Sequence, residues 1–380
     1  MIKIGILTYH DTVNYGSFLQ CYSLCELLKN HYPDIQFEVI NYTYPVNNSN
    51  RLKAPFILMK NNIRLLHHYL VLYRNFAKAL RTLPLSKRHY VTYDYRKIID
   101  IIDKEYNGVI VAPDTLLNAT RGFPSIYNLP GGNMRKFYVA ASAHGLDYES
   151  ISQSDKCKWK AFFDDFDFIG IRDSYTERFL NSIDPNINYC RIFDPTFFYQ
   201  PIYDIESLKE KLQIKYKIDM KKKLIGVMTY SEEAVKALRR IYGNSCTIVS
   251  LYRHLNSADV FCYDLTPHEW AVVFSLFDFT LTQFFHCTLF SLLNKTPVVC
   301  FGRTKLEDRK CGKVQDLLEY FDMEECYLRR FDFNNSDKEL CKIIENAKSK
   351  FAKNQIEHFF ECGRKEMNHF FDAFDNIFLN

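Results

Sequence analysis

The chain repeats a short apolar run, a polar loop and a helical stretch along most of its length. The first run, Lys3 to Tyr9, is almost continuously apolar, as in strands of a parallel sheet that is covered on both faces. Apolar residues at helical spacing predict a helix from about Ser17 to Asn30, and a second strand is expected from Phe37 to Tyr42. Strand, helix and strand in this order form a βαβ unit, which predicts a parallel sheet.

The same rhythm continues in two halves of similar size. Further strands are predicted at 108–112, 136–141, 167–171 and 189–193, and then at 224–230, 246–251, 260–262, 279–281 and 298–301. We therefore predict an α/β fold of two doubly wound domains, 1–205 and 224–350, which face each other across a cleft. Ligands are expected in that cleft, at the carboxyl ends of the strands. Residues 206–223 are predicted as a connecting helix and linker, and 351–380 as a terminal helix, for which packing back on the N-terminal domain is one arrangement.

A basic amphipathic stretch interrupts the first half between about residues 50 and 90. From Phe56 to Leu83 it contains Lys60, Arg64, His67, His68, Arg74, Lys78 and Arg81. We interpret it as a solvated helical excursion from the N-terminal domain. The alternatives are a lid, or a surface that contacts an anionic membrane.

Charge and cysteine usage exclude several classes of protein. Lys and Arg number 49 against 45 Asp and Glu, which is too balanced for a general nucleic-acid binder. The twelve cysteines form no CxxC pair and no Cys/His cluster of zinc spacing, so we predict no metal. The apolar run at the N-terminus is too short for a signal peptide, and no run of about 18 apolar residues could span a membrane. We expect a reduced, cytoplasmic protein.

The loop from His10 to Gly16 leads from the first strand into a predicted helix. A helix N-terminus offers unpaired N–H groups and the positive end of a dipole, which suit a phosphate or a carboxylate. Asn14, Tyr15 and Gly16 are the candidate ligand-lining residues of this loop, and Gly16 lets the backbone approach a ligand closely. The alternative is an ordinary turn with an Asn or Ser cap.

Polar side chains follow the other strands of the first half in the same way. Asp114 comes after the strand 108–112, although a turn-forming Asp after Pro would give the same pattern. Arg172 follows the strand 167–171 and suits a planar anion, with a structural Arg–Asp pair as the alternative. The remaining candidates at strand ends are Ser142, His144 and Asp194.

The most informative segment of the second half is 281–293, LTQFFHCTLFSLL. A strand ends, His286 follows, and an apolar helix begins, so His286 is predicted in the first helical turn. A histidine there can hold or protonate an anionic ligand, whereas a satisfied core histidine is the alternative. Arg303 and Lys305 follow the next strand, and with Arg309 and Lys310 they could add positive charge to the same cleft.

Seven motifs in order make the chain resemble the polysaccharide pyruvyl transferase family. They run from residue 3 to about 330 and comprise GILTYHDTVNYGSFLQCYSL, APDTLLN, KFYVAASAHG, GIRDSYTERFL, FDPT, the block LTPHEWAVVFSLFDFTLTQFFHCTLFSLLNKTPVV, and GRTKLEDRKCGKVQDLL. The resemblance implies two Rossmann-like domains in a GT-B-type arrangement. It also implies transfer of the enolpyruvyl group of phosphoenolpyruvate onto two hydroxyls of a glycan sugar, which gives a cyclic pyruvate ketal and releases phosphate.

The resemblance also implies partners and residue roles. Phosphoenolpyruvate is the co-substrate, no further cofactor is implied, and the acceptor is a glycan that is often still attached to a lipid or nucleotide carrier. A lipid-linked acceptor would bring the protein to the cytoplasmic face of the membrane. His286 would bind the phosphoenolpyruvate anion or act as an acid, Arg172 would hold its carboxylate or phosphate, and Asp114 would be the base or bind an acceptor hydroxyl. The residues expected to line or support the site are Asn14, Tyr15, Gly16, Ser142, His144, Asp194, Arg303 and Lys305.

The chain departs from the family pattern at four positions. Phe284 stands where many relatives have Ser or Arg, and Cys287 stands where they have Gly. Pro113 and Leu117 replace the usual Ser and Trp around Asp114. A sugar-nucleotide glycosyltransferase of the same architecture and a glycan-binding member without catalysis are therefore the alternative functions.

Overall fold

A computed structural model describes residues 1–45, 63–119, 122–302, 312–329, 331–353 and 355–379. The chain divides into two compact units. The first comprises Met1–Pro55, Lys78–Tyr199 and Phe360–Asn380, and the second comprises Phe56–Ala77 and Gln200–Phe359. Each unit is an α/β structure with its own parallel sheet.

The strands and helices alternate along most of the described chain. The strands are β1 (Lys3–Leu7), β2 (Gln36–Val39), β3 (Tyr42–Thr43), β4 (Tyr90–Val91), β5 (Gly108–Val111), β6 (Arg135–Ala141), β7 (Phe168–Ile171), β8 (Cys190–Arg191), β9 (Lys223–Met228), β10 (Cys246–Ser250), β11 (Val260–Phe261), β12 (Phe279–Thr282), β13 (Val298–Phe301) and β14 (Tyr327–Leu328). The helices are α1 (Tyr15–His31), α2 (Ile63–Leu80), α3 (Tyr95–Glu105), α4 (Gln153–Asp164), α5 (Ser174–Ile183), α6 (Ile205–Tyr216), α7 (Glu232–Tyr242), α8 (Pro267–Val273), α9 (Phe285–Leu293), α10 (Lys313–Tyr320), α11 (Asp337–Lys353), α12 (Ile356–Glu366) and α13 (Asn368–Phe378).

The first unit is built on a six-stranded parallel sheet with the order β2-β1-β5-β6-β7-β8. Its central strands are buried almost throughout, which explains why they read as continuous apolar runs. From β1 the chain passes to β2 on one side and then to β5 on the other. The strand order therefore reverses between β1 and β5, and such a switch point leaves a crevice at the carboxyl ends of the two strands.

Helix α13, at the C-terminal end of the chain, covers part of this first sheet with aromatic side chains. Phe374 lies with its ring centroid 5.5 Å from that of Phe137 on β6 and 6.2 Å from that of Phe37 on β2. Phe370 packs in the same way on Phe168 of β7, at 5.8 Å. Where we predicted one terminal helix at 351–380, the structure has α12 and α13, and residues 360–380 belong to the first unit.

The second unit is built on another six-stranded parallel sheet, with the order β11-β10-β9-β12-β13-β14. Renumbered from β9, this is the order 3-2-1-4-5-6 of dinucleotide-binding folds. Its switch point lies between β9 and β12. Segment 206–223, which we predicted as a connecting helix and linker, contributes α6 to this unit instead, because Leu208 and Leu212 of that helix are buried.

The basic excursion also differs from its prediction in the part that the structure describes. Residues 63–77 of α2 belong to the second unit rather than forming a solvated excursion from the first. His68 stacks on Tyr263 with centroids 4.0 Å apart, and the Asn75 amide donates to the main-chain oxygen of Asp264 at 2.7 Å. An amphipathic helix is stabilised by covering its apolar stripe, which here includes the buried Leu72 and Phe76. Residues 46–62 of the stretch lie outside the described residues.

Within the described ranges, we find no helix that combines the length and the apolar character needed to cross a membrane.

Candidate functional site

The polar residues of the first unit gather at its switch point. Helix α1 begins directly after the loop that follows β1, and Asn14 is its N-cap. The Asn14 side-chain oxygen accepts hydrogen bonds from the main-chain N–H groups of Gly16 at 2.9 Å and Ser17 at 3.4 Å. This is the usual way in which Asn satisfies the free donors of a first helical turn. Tyr15 and Gly16 are buried in that turn.

Asp114 stands at the other side of the switch point, after β5. Its φ of 96° is in the left-handed region, which a residue other than glycine adopts only when its surroundings fix it. The Asp114 main-chain oxygen accepts from Ser142 N–H at 3.0 Å, and its carboxylate accepts from Thr115 N–H at 2.7 Å and Ser17 Oγ at 2.9 Å. Asp114 is therefore held by two hydrogen bonds to its carboxylate and one to its main chain, with 14% of its side chain exposed.

Arg172 lies beside Asp114 in a buried ion-pair network. Its guanidinium bonds to Oδ2 of Asp194 and approaches Oδ1 of Asp114 at 3.7 Å. The Gln20 amide, from α1, donates to the same Asp194 oxygen, while the other oxygen accepts from Thr196 Oγ1 at 2.6 Å. The side chain of Arg172 is 2% exposed and that of Asp194 is 0% exposed. A buried charge is tolerated only when it is paired in this way, so the network is an integral part of the packed unit.

The structural Arg–Asp pair that we weighed for residue 172 does not form with its sequence neighbour. Asp173 instead caps α5, accepting from Thr176 N–H at 2.8 Å and from Thr176 Oγ1. The carboxylates that pair with Arg172 come from positions 114 and 194.

Ser142 and His144 extend the same edge beyond β6. The Ser142 hydroxyl accepts from His144 N–H at 3.2 Å, and the His144 ring meets Tyr175 edge-on with centroids 5.7 Å apart. The structure thus brings Asn14, Gly16, Asp114, Ser142, Arg172 and Asp194 to one edge of one sheet. Ser17 and Gln20 also belong to this network, although neither was among the predicted site residues. A buried glutamine within an apolar helix is the signal that could have identified Gln20.

His286 occupies the corresponding edge of the second unit. It is the second residue of α9 and is partly exposed, and the N-cap of that helix, Phe284, makes no side-chain capping bond. Gln283 links three strand ends, because its Oε1 accepts from Thr229 Oγ1 at 2.6 Å and its amide donates to Gly302 O at 3.1 Å. The loop that bears His286 is therefore fixed to the ends of β9 and β13. Arg303 and Lys305 lie outside the described residues.

Three of the four departures from the family pattern, at 117, 284 and 287, lie at packed positions. Leu117 is fully buried in the core of the first unit, and Phe284 packs against the ring of Tyr230 with centroids 5.2 Å apart. Burial raises the pKa of the Cys287 thiol to about 12, although the hydrogen bond with the Thr282 hydroxyl acts in the opposite direction. A thiol with so high a pKa is neither a nucleophile nor a metal ligand at neutral pH. In the part of the chain that the structure describes, no three His, Cys, Asp or Glu side chains are grouped so that they could hold a metal ion.

Several solved structures share the fold over nearly the whole chain. A UDP-N-acetylglucosamine 2-epimerase matches with a TM-score of 0.58 at 13% identity, covering 99% of this chain and 96% of its own. The UDP-GlcNAc 2-epimerase from Methanocaldococcus jannaschii gives 0.52 at 11% identity, with 91% and 92% covered. The S. aureus MnaA structure with UDP gives 0.54 at 10% identity, with 98% of each chain covered. A comparison with curated protein sequences gives no significant match.

The fold and the two polar edges define an α/β protein with two Rossmann-like doubly wound domains of the GT-B class, as the sequence predicted. A sequence model of the family described as polysaccharide pyruvyl transferase matches residues 14–304. The chain belongs to the polysaccharide pyruvyl transferase family, and the resemblance noted in the sequence is confirmed.

Proposed function

We propose that this protein transfers the enolpyruvyl group of phosphoenolpyruvate onto two hydroxyls of a glycan sugar and so forms a cyclic pyruvate ketal. Family membership supports a pyruvyl transferase of polysaccharide synthesis. The observation that supports this chemistry is the position of the Asp114 carboxylate at the switch point of the first sheet. Ser17 donates a hydrogen bond to this carboxylate, and the Asp114 backbone has a left-handed conformation. Left-handed residues other than glycine are concentrated at active sites, where their surroundings maintain the strain.

The reaction balances without an oxidant or a reductant. A proton adds to the methylene carbon of phosphoenolpyruvate, and the C2 carbon becomes oxocarbenium-like. One sugar hydroxyl attacks C2, the C–O bond to phosphate breaks, and the second hydroxyl then attacks the same carbon. The two hydroxyls lose one proton each. One of these protons restores the acid that protonated the methylene carbon, and the other leaves with phosphate. Phosphoenolpyruvate is therefore proposed as a co-substrate, with no further cofactor.

Asp114 is proposed as the general base or as the group that binds an acceptor hydroxyl. A base must lie within hydrogen-bonding reach of the proton that it removes and must be fixed in orientation. The bonds from Ser17 and Thr115 supply that orientation. The glycan acceptor is proposed to contact this edge, which Asn14, Tyr15, Gly16, Ser142 and His144 line.

Arg172 is proposed as a positioning residue for Asp114. Its side chain is almost wholly buried between Asp114 and Asp194, so its charge offsets theirs and holds them in place. The direct clamp on phosphoenolpyruvate that the family resemblance implies would require one of these ion pairs to open. Asp194 supports the site through the same network.

His286 is proposed to bind the phosphoenolpyruvate anion or to protonate its methylene carbon. It lies in the first turn of α9, where the helix dipole favours negative charge. Arg303 and Lys305 follow β13 in sequence and are proposed as further cations for the same anion. The proposed location is the cytoplasm, at the membrane face if the acceptor is lipid-linked.

The test combines a binding measurement with a product measurement. The purified full-length protein is titrated by calorimetry with phosphoenolpyruvate and, separately, with UDP-sugars. Surface glycans from cells with the gene intact, deleted, or carrying Asp114→Asn are compared by mass spectrometry for a pyruvate ketal. We expect binding of phosphoenolpyruvate and a ketal only in cells with the intact gene. Binding of a UDP-sugar but not of phosphoenolpyruvate, with no pyruvate ketal in any of the three strains, would replace the proposal by a sugar-nucleotide transferase.

Binding of a glycan fragment with no ketal in any strain would point instead to a member without catalysis. A thermal-shift series with the same ligands detects that outcome, because a ligand that binds only the folded state raises the melting temperature even when no turnover occurs.

A further inference from the structure

The loop after β10 places a second cationic group at the carboxyl edge of the second sheet. β10 is the neighbour of β9, and β9 borders the switch point of that sheet. The loop contains Tyr252 and Arg253, and Arg253 is exposed. Ligands of doubly wound sheets bind outside the carboxyl ends of strands at a switch point, so a charged group there is placed where a ligand is expected.

The ring of Tyr230 contacts this arginine, and two further aromatic rings pack against Tyr230. Tyr230, which follows β9, lies 5.2 Å from Phe284 and 6.4 Å from Tyr252, measured between ring centroids. Tyr252 and Phe284 are 5.4 Å apart. The Arg253 guanidinium carbon lies 5.3 Å from the centroid of the Tyr230 ring, which is within the range of a cation–π contact. Phe284 is the N-cap of α9, so this cluster ends two residues before His286.

The loop that bears Arg253 is held in place rather than loosely attached. Ser250 Oγ donates to the main-chain oxygen of Arg253 at 2.5 Å. The Glu232 carboxylate accepts from Asn256 N–H at 2.7 Å and from Ser257 N–H at 3.1 Å. Burial raises the pKa of Glu232, but these hydrogen bonds outweigh it and leave that pKa below its ordinary value. The arginine is therefore presented on a fixed backbone.

The charge of Arg253 is not offset by an acid in the described part of the chain, where no Asp or Glu lies within ion-pair distance of its guanidinium. The buried Arg172, by contrast, has two carboxylates beside it. A planar guanidinium fork matches phosphate oxygens through two parallel hydrogen bonds, and stacking on a ring fixes the plane of the fork without using its donors.

We propose that Arg253 binds the phosphate group of phosphoenolpyruvate and that the ring of Tyr230 orients it for this contact. The proposal rests on the proposed function for the identity of the ligand. It assigns to the second unit a binding residue that its sequence pattern does not mark, since Arg253 lies outside the motifs that identify the family. His286, at the start of α9, is then the neighbour of the bound phosphate rather than its only partner.

The test measures anion binding to the full-length protein with three probes. Inorganic phosphate, pyruvate and phosphoenolpyruvate are titrated by calorimetry into wild type, Arg253→Ala and Arg253→Lys. The control is Lys223→Ala, because Lys223 is another exposed cation over a tyrosine ring of the same unit, 5.4 Å from the centroid of Tyr242, but at the amino end of β9. Melting temperatures of all variants establish that the fold is kept.

We expect Arg253→Ala to weaken the binding of inorganic phosphate and of phosphoenolpyruvate about tenfold, because the variant loses one charge-assisted contact. Pyruvate binding should be unchanged, Arg253→Lys should lose less, and Lys223→Ala should bind as wild type does. Unchanged phosphate affinity in Arg253→Ala, equal losses for Lys223→Ala, or a loss confined to pyruvate would each overturn the proposal.

Failure of this inference is distinguishable from failure of the proposed function. Wild-type protein that binds inorganic phosphate through Arg253 but does not bind phosphoenolpyruvate would keep the anion site and refute the pyruvyl transfer. If wild type and Arg253→Ala bind phosphoenolpyruvate with the same affinity, the proposed function is kept and the role of Arg253 is refuted. Wild-type protein that binds neither anion would refute both.

Discussion

The hydroxyl of Ser17 donates a hydrogen bond to Oδ2 of Asp114 at 2.9 Å, although 97 residues separate the two in sequence. The bond joins the first turn of α1 to the end of β5 across the switch point of the first sheet. We predicted that the N-terminus of α1 binds an anion. Through Ser17, this helix terminus contacts the carboxylate of Asp114, the predicted base.

Replacing Ser17 by Ala removes this bond and leaves Asp114 less well oriented. We expect the turnover number for phosphate release from phosphoenolpyruvate with acceptor to fall about tenfold, and the free energy of unfolding to change by about 1 kcal/mol. Steady-state kinetics and urea denaturation measure the two effects.

Ser23 provides the matched control on the same helix. Its hydroxyl is buried and has no hydrogen-bond partner among the residues that the structure describes. Ser23→Ala should leave turnover unchanged and should not destabilise the protein, because it removes a buried polar group that is not paired. Equal losses of turnover in the two variants would show that Ser17 acts only through the packing of α1.

Asp114→Asn tests the proposed base directly. Asparagine has nearly the same shape and tolerates a left-handed backbone, so the fold should be retained. Removing a general base costs on the order of a hundredfold or more in turnover. The melting temperature and the rate of phosphate release are measured together. A variant with full activity would remove Asp114 from the mechanism.

The ion pair of Arg172 should matter for stability far more than an exposed one. Arg172→Ala leaves Asp194 buried without its partner and is expected to lower the free energy of unfolding by about 3 kcal/mol. Arg135→Ala is the control, because Arg135 pairs with Asp167 at 2.9 Å while 56% of its side chain is exposed. That change should cost under about 1 kcal/mol. Similar values in urea titrations of the two variants would contradict the prediction.

His286→Asn should reduce catalysis without reducing stability, because the residue is partly exposed at the start of α9. A role in binding the anion predicts a higher KM for phosphoenolpyruvate, whereas a role as the acid predicts a lower kcat. Steady-state kinetics separate the two, and a melting temperature equal to that of wild type excludes misfolding. Unchanged kcat and KM would leave His286 without a role in the reaction.

Acid should destabilise the second unit through His268 on α8. Burial lowers the pKa of this histidine from 6.5 to about 4. The unfolded chain therefore binds a proton at a higher pH than the folded chain does. The contribution of His268 to stability should be full above pH 6.5 and should fall by about 3 kcal/mol as the pH drops toward 4.

The measurement is the melting temperature as a function of pH for wild type and His268→Gln. The variant should lose less stability over that interval, while His358→Gln, a change at an exposed histidine, should follow wild type. Parallel curves for wild type and His268→Gln would assign the acid sensitivity to another group.

Strand positions could be predicted because buried parallel strands require continuous apolar runs, and the runs at 108–112 and 136–141 are strands. The cap at Asn14 is the alternative that the chemistry of helix ends offered for this loop, beside a ligand-lining role. Long-range pairing could not be predicted, because nothing local shows that Arg172 pairs with residues 114 and 194 rather than with Asp173. The placement of α2 was missed for a related reason, since periodicity reveals an apolar face but not the surface that covers it.

The packing of α13 on the first sheet has a consequence for biosynthesis. The strands of the first unit leave the ribosome long before Phe370 and Phe374, which cover Phe168, Phe137 and Phe37, are made. Until α13 is made, the nascent chain carries an aromatic surface open to water and to chaperones. A premature stop codon upstream of α13 but after α12 would make that exposure permanent, and the shortened product would be prone to aggregate even though every residue of the Asp114 network is present.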